Sequence, residues 1–107
     1  MKNLGDMMRQ AQAMQSKMAE IQEQLAAAEV TGSAGGGMVQ VTANGKGEVR
    51  AVKIDPALAD PNEVAVLEDL VAAAVNDARG KAEATAAERM RELTGGLALP
   101  PGFKLPF

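Results

Sequence analysis

The chain has 107 residues, 47% of them apolar and 23% charged, with a net charge of −3, which fits one globular domain and neither a disordered segment nor a polybasic arm. It contains no His, Cys, Trp or Tyr, so disulfides, thiolate chemistry, His-assisted nucleophilic catalysis and a zinc site are excluded. No pair among the Asp, Glu and Lys residues stands at a recognisable catalytic spacing.

The longest unbroken apolar run, Leu70–Val75, is far short of the ~20 residues that span a bilayer. The N-terminal "MKNLGDMMRQ" lacks the apolar stretch of a secretory signal. The expectation is a cytoplasmic protein that is not an enzyme, with no cofactor, metal, membrane partner or small-molecule substrate.

Leu4, Met7, Ala11, Met14, Met18, Ile21, Leu25 and Ala28 follow a 3-4-3-4 spacing, which predicts a first helix over residues 4–28 with apolar a and d positions. Gly5 weakens its first turn. The texture changes after Val30: "TGSAGGGM" is glycine-rich, "MVQVTA" alternates, "NGKG" supplies turn chemistry and "EVRAVKI" is a second strand-like run. Asn-Gly between two such runs predicts a hairpin. With Asn44 to Gly47 as the loop, Val39 falls opposite Val52 and Val41 opposite Arg50. Val39, Val41, Val52 and Ile54 then share one face. The stretch "EVTGSAG" is a candidate third strand on the edge.

Asp60 as N-cap, Pro61 at the first position and Glu63 two residues on mark a second helix entry. Val64, Leu67, Val71, Ala74, Ala78, Ala82, Ala86, Met90 and Leu93 carry the helical repeat to "TGG", with Gly80 a weak point inside it. Residues 1–95 therefore read as one α-β-α domain. Residues 96–107, "GLALPPGFKLPF", are a proline-rich extended tail holding both aromatics, Phe103 and Phe107.

Helices of ~25 and ~30 residues measure roughly 38 and 45 Å and overrun a compact globule of this chain length, about 35 Å across. A small sheet does not cover their apolar stripes, so an oligomer is expected, most simply a two-fold dimer. Met7, Met14 and Met18 with Val39, Val41, Val52 and Ile54 are the candidate core and dimer residues.

Charge is segregated. Residues 1–18 hold Lys2, Arg9 and Lys17 against Asp6, whereas residues 55–77 hold Asp55, Asp60, Glu63, Glu68, Asp69 and Asp77 with no base. The last thirty residues are again net positive. Because the sheet joins the end of one helix to the start of the next, the basic helix extremities are distal and the acidic segments lie near the sheet. Lys2, Arg9, Lys17, Arg79, Lys81, Arg89 and Arg91 are thus the candidate phosphate contacts. Asp77–Lys81 and Arg79–Glu83, each four apart, also read as ordinary solvated helix pairs. "GSAGGG" precedes a strand and lacks a following Gly-Lys-Ser/Thr, so it is a turn and not a phosphate loop.

Together "MKNLGDMMRQAQAMQSKM", "VQVTANGKGEVRAVKIDP", "LEDLVAAAVNDA" and "LPPGFKLPF" resemble the YbaB/EbfC family of bacterial nucleoid-associated proteins, over nearly the whole chain and in the same order. The resemblance implies an α+β fold, a three-stranded antiparallel sheet between two long helices, in a tweezer-like homodimer. It further implies double-stranded DNA as partner, a nucleoid location, altered DNA conformation and effects on gene expression and DNA protection. The other functional reading is a protein-interaction adaptor for replication or recombination machinery, using the Met stripe or the tail. For the tail, Phe103 and Phe107 either dock in a helix groove of the protein's own dimer or form a linear motif for another protein.

Overall fold

The computed structural model describes residues 4–94; the side chain of Thr94 is not described. Helix α1 (Leu4–Ala27) leads into three antiparallel strands, β1 (Glu29–Ala34), β2 (Val39–Asn44) and β3 (Val49–Ile54), in the sheet order β1-β2-β3. Two single 3-10 turns, Pro56–Leu58 and Pro61–Glu63, then connect to helix α2 (Val64–Thr94). Asp60 does cap the second entry, its carboxylate accepting from Asn62 N–H at 2.9 Å, and Asp55 caps the first turn by accepting from Ala57 N–H at 2.8 Å. Helix α2 runs through Gly80 without a break.

Three successive glycines make the β1–β2 connection. Gly35, Gly36 and Gly37 have φ of 63, 67 and 95°, a region that a Cβ disfavours. The β2–β3 connection does two jobs. Asn44 and Glu48 close the hairpin through Asn44 N–H to Glu48 O at 3.0 Å, with Gly47 at φ 85°. The same turn then caps α1, whose final carbonyls need partners: Gly45 N–H donates to Leu25 O at 2.8 Å, while Asn44 Nδ2 and the Arg50 guanidinium donate to Ala26 O at 3.4 and 2.8 Å.

Asn44 is fully buried, and its amide is saturated. Nδ2 also donates to Glu48 Oε1 at 2.7 Å, and Oδ1 accepts from the Lys46 and Glu48 N–H groups, each at 3.0 Å. Asn44→Ala leaves several of these groups without partners, at a cost of about 1–3 kcal/mol. The expected outcome is a lower urea midpoint with an unchanged m-value.

The strand register departs from the sequence expectation in an instructive way. Val39 lies opposite Ile54 and Val41 opposite Val52, not opposite Val52 and Arg50. The loop is Gly45–Gly47 between paired Asn44 and Glu48, which shifts the register by one residue. A β-bulge opposite Thr42/Ala43 shifts it by one more. Two shifts restore the parity of a period-two strand, so Val39, Val41, Val52 and Ile54 still share a face. The bulge also brings Val49, opposite Ala43, onto that face.

Helix α2 lies across β1 and β2. The main core joins Val39, Val41, Ala43 and Leu58 to Ala74 and Ala78, flanked by Leu67, Leu70, Val71 and Val75. Small side chains let the helix come very close: a Cβ on Gly32 of β1 would meet the backbone of Ala78 and Ala74. The outer edge of β1 is satisfied from the same helix, Ser33 N–H donating to Asp77 Oδ2 at 3.0 Å and Lys81 Nζ to Thr31 O at 2.9 Å. Farther along, Ile21 and Leu25 of α1 pack on Met90, with Met18, Ala86 and Leu93 around them.

The helices thus run antiparallel, α1 toward the sheet and α2 away from it. The molecule measures 72 × 26 × 16 Å with a radius of gyration of 19.4 Å, against ~13 Å for a compact domain of about this length.

Of the candidate core and dimer residues, four lie outside the core of one chain. Every residue of α1 before Met18 is exposed, so Met7 and Met14 lie outside the protomer's core. Val52 and Ile54 belong to the apolar sheet face but lie beyond the reach of α2, and all six β3 residues are exposed. Phe103 and Phe107 lie outside the described residues, as does Lys2.

Candidate nucleic-acid interface

The fold sorts the basic residues into two groups. Arg9 and Lys17 stand on the part of α1 that extends past the sheet, and Arg89 and Arg91 stand on the last two turns of α2. A rise of 1.5 Å per residue puts Arg9 and Lys17 about 12 Å apart along the helix axis. Because Met90 and Leu93 pack against Ile21 and Leu25, Arg89 and Arg91 belong to the same helical hairpin as Lys17. The four lie on the helical hairpin, away from the acid-only segment that opens α2.

Each of the four has an acidic neighbour on its own helix. Arg9 pairs with Asp6 at 3.7 Å, Lys17 with Glu20 at 3.8 Å, Arg89 with Glu92 at 3.7 Å and Arg91 with Glu88 at 3.1 Å. All are i,i+3 pairs in solvent, where such contacts contribute ~0.2–1 kcal/mol at most. Exchanging an exposed carboxylate for a phosphate is therefore inexpensive.

Arg79 and Lys81 form the second group, on the part of α2 that covers the sheet. Lys81 is committed to the fold: it bonds Thr31 O and pairs with Asp77 at 3.2 Å. The Ser33 N–H bond, helped by Lys81, holds the Asp77 carboxyl below its ordinary value, which keeps its partner ammonium in place. Arg79 is exposed and makes no ion pair among the described residues. The acidic residues Asp55, Asp60, Glu63, Glu68 and Asp69 cluster by sequence in the 3-10 turns and the first turns of α2, at the sheet end.

Beside the sheet lies an apolar ledge whose full extent was not legible in advance. Val49, Val52 and Ile54 are 46, 45 and 37% exposed and share the face that α2 covers farther along. Val49 escaped the sequence reading because strict alternation from Ile54 puts it on the opposite face; only the bulge returns it. No helix among the described residues is long and apolar enough to cross a membrane.

Residues 1–97 match the profile of the YbaB/EbfC DNA-binding family. The chain belongs to that family. A nucleoid-associated protein of Paramagnetospirillum magneticum is 67% identical over 107 residues, covering all of both chains. Nucleoid-associated proteins of Granulibacter bethesdensis and Rhodospirillum rubrum are 59 and 56% identical, again over the full length of both chains. The crystal structure of an uncharacterized protein from Helicobacter pylori shares the fold with a TM-score of 0.77 at 23% identity, over 89% of this chain and 100% of that one. The YbaB/EbfC arrangement of helix, three-stranded sheet and long helix is therefore the one seen here.

Proposed function

We infer that this protein is a nucleoid-associated homodimer that binds duplex DNA along the basic ends of its helices, with little sequence specificity, and alters the path of the duplex. The observation that carries the reading is the polarity of the molecule. Solvated Arg9, Lys17, Arg89 and Arg91 lie on the helical hairpin, and the uncompensated carboxylates gather at the sheet end. The sheet end carries acids with no base beside them and repels phosphates, whereas on the arms each cation is held only by an exposed carboxylate that a phosphate can displace at little cost.

Phosphate contacts position a protein and carry no direct sequence information. The described residues include no aromatic side chain, so the stacking platforms that hold single strands are missing from this surface. Arg79 stands nearer the sheet and extends the contact when the duplex lies along α2, whereas Lys81 keeps its place at the β1 edge. Effects on gene expression and DNA protection follow from coating and bending the duplex in the nucleoid.

Dimerisation uses the β3 ledge in this reading. A two-fold contact between Val49, Val52 and Ile54 of two copies covers the apolar face that α2 leaves open, and β3 is the sheet edge that α2 does not seal. Two arms on one duplex then gain avidity, commonly 10²–10⁴-fold. Val52→Gln with Ile54→Gln is expected to give a folded monomer in sedimentation and to weaken duplex binding by roughly that factor.

Competition tests the function itself. A labelled duplex bound by the protein should be displaced equally by unlabelled duplexes of unrelated sequence, and poorly by single strands. Displacement by one sequence alone would contradict the reading of low specificity. Failure to bind any duplex would favour the adaptor reading.

A further inference from the structure

The first half of α1 projects past the last described turn of α2 and carries an apolar seam of its own. Every described residue before Met18 is exposed, yet the helix starts at Leu4. An isolated helix of about 14 residues is marginal in water, so this one calls for a partner. Leu4, Met7 and Met14 are 71, 59 and 40% exposed, and Ala11 completes their 3-4-3 spacing, that of a two-helix seam. Met8 and Gln10, which flank the seam, are uncharged, while Asp6 and Arg9 stand on other sides of the helix. Two copies of this seam therefore meet without opposing like charges.

Helix α2 decides how a second helix can lie there. From Met18 onward the same stripe is filled by Ala86, Met90 and Leu93. A parallel neighbour in register would continue alongside residues 18–25, where α2 already stands in both copies. An antiparallel neighbour runs off past Leu4, clear of α2. Full overlap of Leu4–Met14 sets Leu4 against Met14 of the second copy and Met7 against its Ala11. The overlap is about 15 Å long, which gives an interface in the small class below about 1,200 Å² and a weak contact in free solution.

We propose that Leu4–Met14 is a second self-association surface, through which neighbouring dimers on one duplex join arm to arm as an antiparallel helix pair. The proposal builds on the duplex binding inferred above, because the duplex supplies the local concentration that a short seam needs, on the order of mM for tethered partners. The β3 ledge joins copies within a dimer and α1 joins dimers, so assembly extends along the duplex. Arg9, on the far side of α1 from the seam, stays exposed to phosphate.

A protomer 72 Å long covers about 21 base pairs at roughly 3.4 Å each. On a duplex of about 80 base pairs, a bound dimer should raise the affinity of its neighbour by ~10-fold or more. Met7→Gln with Met14→Gln alters two exposed side chains and keeps good helix formers. It should abolish that factor, yet bind a duplex of about 20 base pairs as the wild type does, with unchanged circular dichroism. Non-cooperative filling by the wild type, or an undiminished factor in the variant, would overturn the proposal.

Introduced thiols report the geometry, because the chain has no cysteine. Met7→Cys protein mixed with an equal amount of Ala11→Cys protein on the long duplex should oxidise to the mixed disulfide, well above the share that random pairing yields. Preference for the two symmetric disulfides, or no cross-link, would overturn the antiparallel pair. Repeated without DNA at about 1 mM protein, the same assay decides the α1 contact even where the short duplex is not bound and the duplex reading fails.

Discussion

Replacing Arg9 and Arg89 together by Glu should abolish duplex binding at moderate salt while leaving the fold and the dimer intact. Both side chains stand in solvent, at 81 and 41% exposure, and each pairs only with a carboxylate three residues away on its own helix. Their loss therefore removes no core contact, and surface substitutions of this kind stay within about 0.5 kcal/mol of neutral for stability. On DNA the effect is large because a dimer loses up to four phosphate contacts and gains four repulsive charges. Each lost contact reduces the dependence of log affinity on log salt by about 0.9, so the slope should flatten by roughly 3–4. Unchanged affinity in this variant, with the dimer confirmed by sedimentation, would remove the helix ends from the account.

The largest effect on stability is expected at Gly32. A Cβ there would sit inside the backbone of α2, 2.7 Å from Ala78 Cα and closer still to the Ala78 nitrogen and the Ala74 carbonyl oxygen. No flexible side chain is available to swing aside. Either α2 lifts off the sheet, opening the Val39, Val41, Ala74 and Ala78 core, or β1 moves and loses the Ser33–Asp77 and Lys81–Thr31 bonds. Gly32→Ala should cost about 3 kcal/mol, the upper part of the overpacking range, which is a fall of more than about 10 °C in thermal midpoint for a chain this size. Gly80, on the exposed side of α2, is the matched control. A Cβ there meets nothing within 4 Å, and Gly80→Ala should stabilise the helix by about 0.5–1 kcal/mol. Two Gly→Ala changes with opposite signs isolate the close helix–sheet contact from generic glycine entropy.

The elements themselves were legible because their periodicities are long and clean. The a and d repeat of α1, the alternation of β2 and the Asp60-Pro61 entry to α2 all sit where propensity and tertiary packing agree. The strand pairing was not. The four-residue loop Asn44–Gly47 and the three-residue loop Gly45–Gly47 are not distinguished by "TANGKGE", and the bulge near Arg50 goes with a tertiary contact, the Arg50 guanidinium reaching back to Ala26 O at the end of α1. The face survived only because the two register shifts cancel in parity.

At the site, exposed cations on long helices were readable from charge segregation, while the different standing of Lys81 was not. Its hydrogen bond to Thr31 O joins residues fifty apart in sequence, and local spacing reveals only the Asp77 half of that arrangement. The burial of Met18 beside the exposure of Met14 has the same origin, because it depends on where α2 ends against α1.

Binding by this protein depends on phosphate contacts at the helix ends. Fluorescence anisotropy of a labelled duplex against the full-length protein, from about 20 to about 200 mM salt, measures it directly. Four cations per protomer, Arg9, Lys17, Arg89 and Arg91, predict a linear fall of log affinity with log salt, with a slope between about −3 and −7 for the dimer. A slope near zero, or no binding at the lowest salt, would contradict it.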